Sequence, residues 1–167
     1  MVNTGASMVA TSSLKGVLLD SAKEVFESMV FMPLEEVEGQ RPDHESVTLL
    51  GTITFAGNLE GCLGVCCDMA GARAIGAGML CMDSPDQMAD EELADAMGEI
   101  ANMVMGAVKT RIQDDYQSIL ISVPTVVQGR ELRRRPNDGM VQIVTSTRAG
   151  GSHHVEFSLT YREAGVA

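Results

Sequence analysis

Apolar positions along the chain recur with two different periods, and the changeovers between them mark the elements. From Leu14 to about Phe31, Leu14, Val17, Leu18, Val25 and Met29 share one side with Ser21, which predicts a helix capped by Ser12 or Ser13. The next stretch, "PLEEVEGQRPDHE" (33–45), is acidic and carries Pro33 and Pro42. It reads as an exposed connection with room for a short edge strand. The period then drops to two. "VTLLGTITFAG" and "GCLGVCCDM" are β-rich runs separated by the turn-forming pair Gly57 and Asn58, a predicted hairpin. Asp68 is placed to cap a small helix, "MAGARAIGAGML", whose glycines at 71, 76 and 78 match neither phosphate-loop spacing, so close packing accounts for them. "DSPDQMADE" (83–91) turns into a long helix from about Asp90 to Ile112. "ISVPTVVQGREL" is strand-like, with Pro124 marking an edge or an irregular start. "MVQIVTSTR" and "HHVEFSLTYRE", joined by "AGGS", complete the strands, and no internal repeat is clear enough to use.

The long helix carries the informative pattern. At about 100° per residue, Leu93, Met97, Ile100, Ala101, Val104 and Val108 gather into a core stripe. Opposite them lie Glu92, Asp95, Glu99, Asn102, Gly106 and Thr110, with Met103 close beside. Asp95, Glu99 and Asn102, at i, i+4 and i+7, form one outward polar row. Two of its neighbours are costly choices for a face that meets only water. Ala in place of Gly106 would be more stable by roughly 0.8–1 kcal/mol. Met103 sets a large flexible apolar side chain beside the acids, as interaction surfaces do. A glycine admits close approach by another backbone, so the face reads as a docking surface. Spacing alone does not separate that reading from an ordinary solvated helix face.

Composition narrows the classes. The 167 residues suit one domain, read as a flexible tail (1–12) followed by a single domain (13–167). With 45% hydrophobic residues, 4% aromatic and 12 Met, the core is expected to be aliphatic and adaptable. A net charge of −11 argues against a nucleic-acid partner. The short basic patch Arg130, Arg133, Arg134 and Arg135 reads as a solvated loop that partly balances the acidic surface. No apolar run reaches the ~20 residues of a membrane span, and the amino terminus lacks the pattern of a secretory signal, so a cytoplasmic chain without a membrane partner is expected. Cys62, Cys66, Cys67 and Cys81 have no zinc spacing and are expected as reduced, mostly buried thiols. His153 and His154 are adjacent in a strand and point apart, as do Cys66 and Cys67, and His44 lies in an acidic loop. No metal site is expected, and no Ser-His-Asp order or nucleophile elbow is present.

"DAMGEIANMVMGAVKTRI" followed by "ISVPTVVQG" resembles the chemotaxis phosphatase family of CheC, CheX and FliY, most closely its CheX branch. The family pattern is an acidic or Ser residue, three residues, Glu, two residues, Asn, and later a Pro. Asp95, Glu99 and Asn102 match it, and Pro124 supplies the proline. The order of elements from 14 to 163 is also similar, although only the motif helix is specific. In the first helix, "DSAKEVFESM" offers Asp20 and Glu24 but has Glu27 where a second Asn would be needed, so one active face is expected.

The resemblance implies an α+β fold of two long helices on a largely antiparallel sheet, in a strand-paired homodimer. It implies an enzyme that hydrolyses the phosphoryl-aspartate of a CheY-type response regulator, with no cofactor of its own, since the Mg2+ belongs to the regulator. Asn102 would orient the attacking water, Glu99 would pair with a basic residue of the regulator, and Asp95 would serve docking or capping. Met103 and Gly106 would permit the close approach. The rival readings are a non-catalytic CheX-like binding module of a signalling or flagellar-switch complex, which could dispense with the carboxamide, and a purely structural oligomer, which would bury this face.

Overall fold

The computed structural model of the chain describes residues 4–39 and 45–165, with side chains from Ser13 onward, so Pro42 and His44 lie outside the described residues. The first helix, α1, spans Thr4–Val25, and Ser12 and Ser13 fall inside it instead of capping it. Ala6, Met8 and Ala10 are strong helix formers and no Pro interrupts the run, so the helix takes in residues 4–12 of the stretch expected as a tail. At its other end α1 gives way to a π-helical turn, Phe26–Val30. There the Ser28 hydroxyl donates to the Glu24 carbonyl at 2.7 Å, a bond that bends helices. The wider turn shifts the phase of the apolar stripe: Phe26 and Val30 are buried, while Met29, expected inside, is 45% exposed. Phe31 closes the turn with φ 60°, directly before Met32 and Pro33.

The strands are β1 (Leu34–Glu36), β2 (Thr48–Ala56), β3 (Leu59–Asp68), β4 (Leu120–Ile121), β5 (Thr125–Gly129), β6 (Val141–Ala149) and β7 (His153–Glu163). They form one antiparallel sheet in the order β1-β6-β7-β3-β2-β4, with β5 also pairing β2. The acidic connection does supply an edge strand, β1, paired to β6. The run expected as one strand around Pro124 is two, β4 and β5, because proline offers no N–H to the ladder and Ser122 takes over the bonding to Thr54. Gly57 adopts φ +151° at the β2–β3 turn, where a Cβ would lie 2.4 Å from the Ser118 carbonyl oxygen.

The two faces of the sheet differ. Leu49, Ile53, Leu63, Val65, Phe157 and Leu159 point to the face that the helices cover, and they join Leu18, Phe26, Met97, Ile100 and Val104 in the core. Phe26 meets Phe157 edge-to-face at 5.8 Å, which ties the π turn at the end of α1 to the sheet. Two further helices complete this layer. The short α2 (Met69–Met79) is capped by Asp68, whose carboxylate accepts from the Gly71 N–H at 2.7 Å. The long α3 spans Asp90–Ile112, the bounds its periodicity predicts. The architecture is therefore α+β as expected, with three helices on one face of the sheet.

Candidate functional site

Every residue of the predicted core stripe of α3 is buried, with Ala96, Gly98, Met105 and Ile112 in addition. The helix is held at both ends. At its start the Ala89 N–H donates to Glu92 Oε2 at 2.9 Å, so the capping acid is Glu92 and not Asp95. Arg73 of α2 reaches the Met88 carbonyl at 2.8 Å and Asp90 at 3.7 Å. At its far end Arg111 pairs with Glu24 of α1. In the middle Gly51 of β2 lets the helix lie close, since a Cβ there would sit 2.9 Å from the Met97 carbonyl oxygen. Cys67 adds a thiol contact to Met97 Sδ at 3.6 Å.

This clamping turns Asp95, Glu99 and Asn102 outward, all three exposed. Glu99 and Asn102 are one turn apart, a rise of about 4.5 Å. Among the described residues no hydrogen bond or ion pair engages either side chain. Gly106 continues the row one turn further, and a Cβ there would meet no heavy atom within 4 Å. The glycine therefore answers no need of internal packing. Met103 is partly buried against the core beside the row, less prominent than its sequence suggests.

Two features beside the helix are legible only in three dimensions. Gly98, which precedes Glu99, packs against Pro124, with Cγ 3.4 Å from where its Cβ would be. The proline is thus a lateral buttress of the polar row. The same segment displays Leu120 at 76% and Val123 at 83% exposure, and Leu120 shares a surface depression with Lys109 of α3 and Gln113 just beyond its end. A one-dimensional pattern gives no signal for these neighbours, because they join the helix through sheet pairing.

The first helix lacks an equivalent row, since Glu24 is occupied by Arg111 and Glu27 lies in the π turn. His153 and His154 open β7 opposite Ala149 and Arg148. Among the described residues no group of three or more His, Cys, Asp or Glu could hold a metal ion, and no helix is long and apolar enough to cross a membrane. The four cysteines are free, with Cys62 and Cys67 buried and Cys81 exposed.

Among solved structures the chain is similar to the chemotaxis protein CheX from Vibrio vulnificus, at 22% identity and TM-score 0.73, covering 89% of this chain and 96% of that one. It is also similar to CheX in the CheX-CheY-BeF3-Mg2+ complex from Borrelia burgdorferi, at 19% identity and TM-score 0.64, with 89% and 97% covered. FliY from Thermotoga maritima matches at 17% identity and TM-score 0.67, with 98% and 93% covered. These likenesses define a CheC-like fold. No curated protein matches the chain. The family model described as chemotaxis phosphatase CheX matches residues 49–148, from nearly all of β2 to nearly all of β6 and including the whole of α3. The chain belongs to the CheX family of chemotaxis phosphatases.

Proposed function

We propose that this protein dephosphorylates a CheY-type response regulator by inserting the exposed face of α3 into the regulator's phosphorylation site. The observation that carries the reading is the outward pair of Glu99 and Asn102, unpartnered among the described residues, beside the open backbone at Gly106. An acyl phosphate on Asp already has its charge neutralised by the regulator's own Mg2+ and Lys. What it lacks is a positioned nucleophile. The Asn102 carboxamide oxygen accepts a hydrogen bond from a water while its nitrogen can donate one to a neighbouring atom, which fixes the water in line with the breaking bond. The water oxygen attacks phosphorus, the bond from phosphorus to the aspartyl oxygen breaks, and inorganic phosphate and a free carboxylate leave with one proton released. Asn102 abstracts no proton, much as a Gln orients water in GTPases.

Glu99 takes a basic side chain of the regulator, a charge-assisted contact that sets the register of the helix. Asp95, one turn earlier, adds negative charge to the same surface, and Met103 with Gly106 allows a close, partly apolar fit. The reading includes a homodimer formed by strand pairing, for which β1 and the β4–β5 edge offer the ends of the sheet. Sedimentation of the purified chain tests that part.

The catalytic part is tested by following phosphate release from phosphorylated regulator with wild type, Asn102→Ala and Glu99→Ala. Asn102→Ala should lose turnover while still binding the regulator stabilised by beryllofluoride, and Glu99→Ala should lose binding. A non-catalytic binding module would show regulator binding with no release by any of the three proteins.

A further inference from the structure

The arginine cluster after β5 has no part in the phosphatase reading, and the structure gives it a different setting from a solvated loop. The segment from Arg130 folds back over the face of the sheet that no helix covers. Arg130, Arg133 and Arg135 are exposed on it, but Arg134 is partly buried. The strand register explains where its side chain goes. On this face Leu50, Cys66 and Glu156 stand in one row across β2, β3 and β7, and Gly64, Ser158 and Val144 stand in the next. Gly64 leaves a gap in the floor. A Cβ there would lie 2.7 Å from Ser158 Oγ and 3.7 Å from Arg134 Cδ. Leu132 and Arg133 line its rim, leaving a half-open cavity of about 240 Å³. That is metabolite-sized, below the roughly 300–1,000 Å³ of drug-sized pockets.

The lining has a mismatch of charge and partner. Arg134 Nη1 is buried and has no hydrogen-bond partner among the described residues. No ion pair among those residues joins it to Glu156, although both line the cavity. A guanidinium cannot shed its proton, so its buried N–H carries the desolvation penalty of a charged donor until something accepts from it. An oxyanion is the group with the matching geometry, because carboxylate and phosphate take the planar fork through two oxygens. The Ser158 hydroxyl supplies a further donor at the floor. The Gln142 amide nitrogen is already engaged with Thr160 Oγ1 at 3.3 Å, which leaves its oxygen as an acceptor. Glu156 is a second acceptor, so the ligand's body should carry a donor of its own. Leu50, Leu132 and Val144 supply the apolar walls.

We infer that this cavity binds a small oxyanion, a carboxylate or phosphate on a compact body bearing a hydroxyl or amino group, with Arg134 as its anchor. The site lies on the opposite face of the sheet from α3, so its test is independent of the phosphatase reading. The full-length protein is titrated at constant ionic strength with inorganic phosphate and, separately, with malate, using calorimetry and thermal shift against sodium chloride. At least one probe should bind saturably, and which one does so identifies the anion. Arg134→Gln should weaken that binding tenfold or more, while the exposed neighbour Arg135→Gln changes it less than twofold. Arg134→Lys keeps the charge, and so protects the fold, but loses the fork and should also weaken binding severalfold. The inference is overturned if neither probe binds beyond the chloride control, or if Arg135→Gln weakens binding as much as Arg134→Gln.

Discussion

Replacing Gly106 separates what the fold needs from what the docking face needs. An added Cβ at this position meets nothing within 4 Å, so Ala fits without repacking. Ala is favoured over Gly inside a helix by roughly 0.8–1 kcal/mol, partly because the unfolded chain loses freedom. At about 2.1 cal/mol/K of unfolding entropy per residue, 167 residues give roughly 0.35 kcal/mol/K, so Tm should rise by about 2–3 °C. Leu, also a strong helix former, should keep most of that gain. On the proposed docking face the same side chain stands where the regulator's backbone must come close. Gly106→Leu should therefore raise KM for phosphorylated regulator about tenfold or more, the cost of about 1.4 kcal/mol of lost contact. Calorimetry and a steady-state phosphate assay on the same preparations read both effects. A Tm that falls, or a Gly106→Leu variant with unchanged KM, would refute the reasoning.

Other outcomes follow from the same contacts. Gly51→Val drives a side chain toward the Met97 carbonyl of α3, and overpacking of this kind costs about 1–3 kcal/mol, readable as a lowered urea midpoint. Burial, and then the hydrogen bond it donates to Glu163 at 2.8 Å, push the Tyr116 phenol up from 10.0 to about 12. The folded state holds this proton more tightly, so the stability Tyr116 contributes is complete below about pH 10 and is lost as pH rises towards 12. The advantage of wild type over Tyr116→Phe in unfolding free energy should accordingly shrink across that window. Iodoacetamide should label exposed Cys81 first, whereas Cys67, fully buried with its thiol pushed well up by burial, should react only on unfolding, as peptide mass spectrometry would show.

How far the sequence discloses the molecule depends on how local each feature is. The bounds of α3 and its outward row were legible because an amphipathic helix writes its faces at fixed spacing, and Gly106 stood out as a poor helix former on the polar side. Met29 leaves the predicted apolar stripe because the π turn at Phe26–Val30 breaks that spacing, and nothing in a helical wheel announces the break. The start of α1 is hidden in the sequence because two serines imitate a cap inside a run that simply continues. Gly51 under Met97, Pro124 against Gly98 and Arg134 over Gly64 were all unreadable, because each contact depends on strand register or on a loop returning across the sheet. The arginine cluster shows the limit most plainly: four basic residues in six positions look the same in solvent as over a cavity.

The central claim is that Asn102 orients the water that cleaves the regulator's acyl phosphate. Its most direct measurement is the single-turnover decay of phosphorylated regulator under saturating protein, comparing wild type with Asn102→Ala. The account predicts that Asn102→Ala, equally stable and still bound, slows decay by about 10²-fold or more, to the regulator's own rate. Decay as fast as wild type would contradict it.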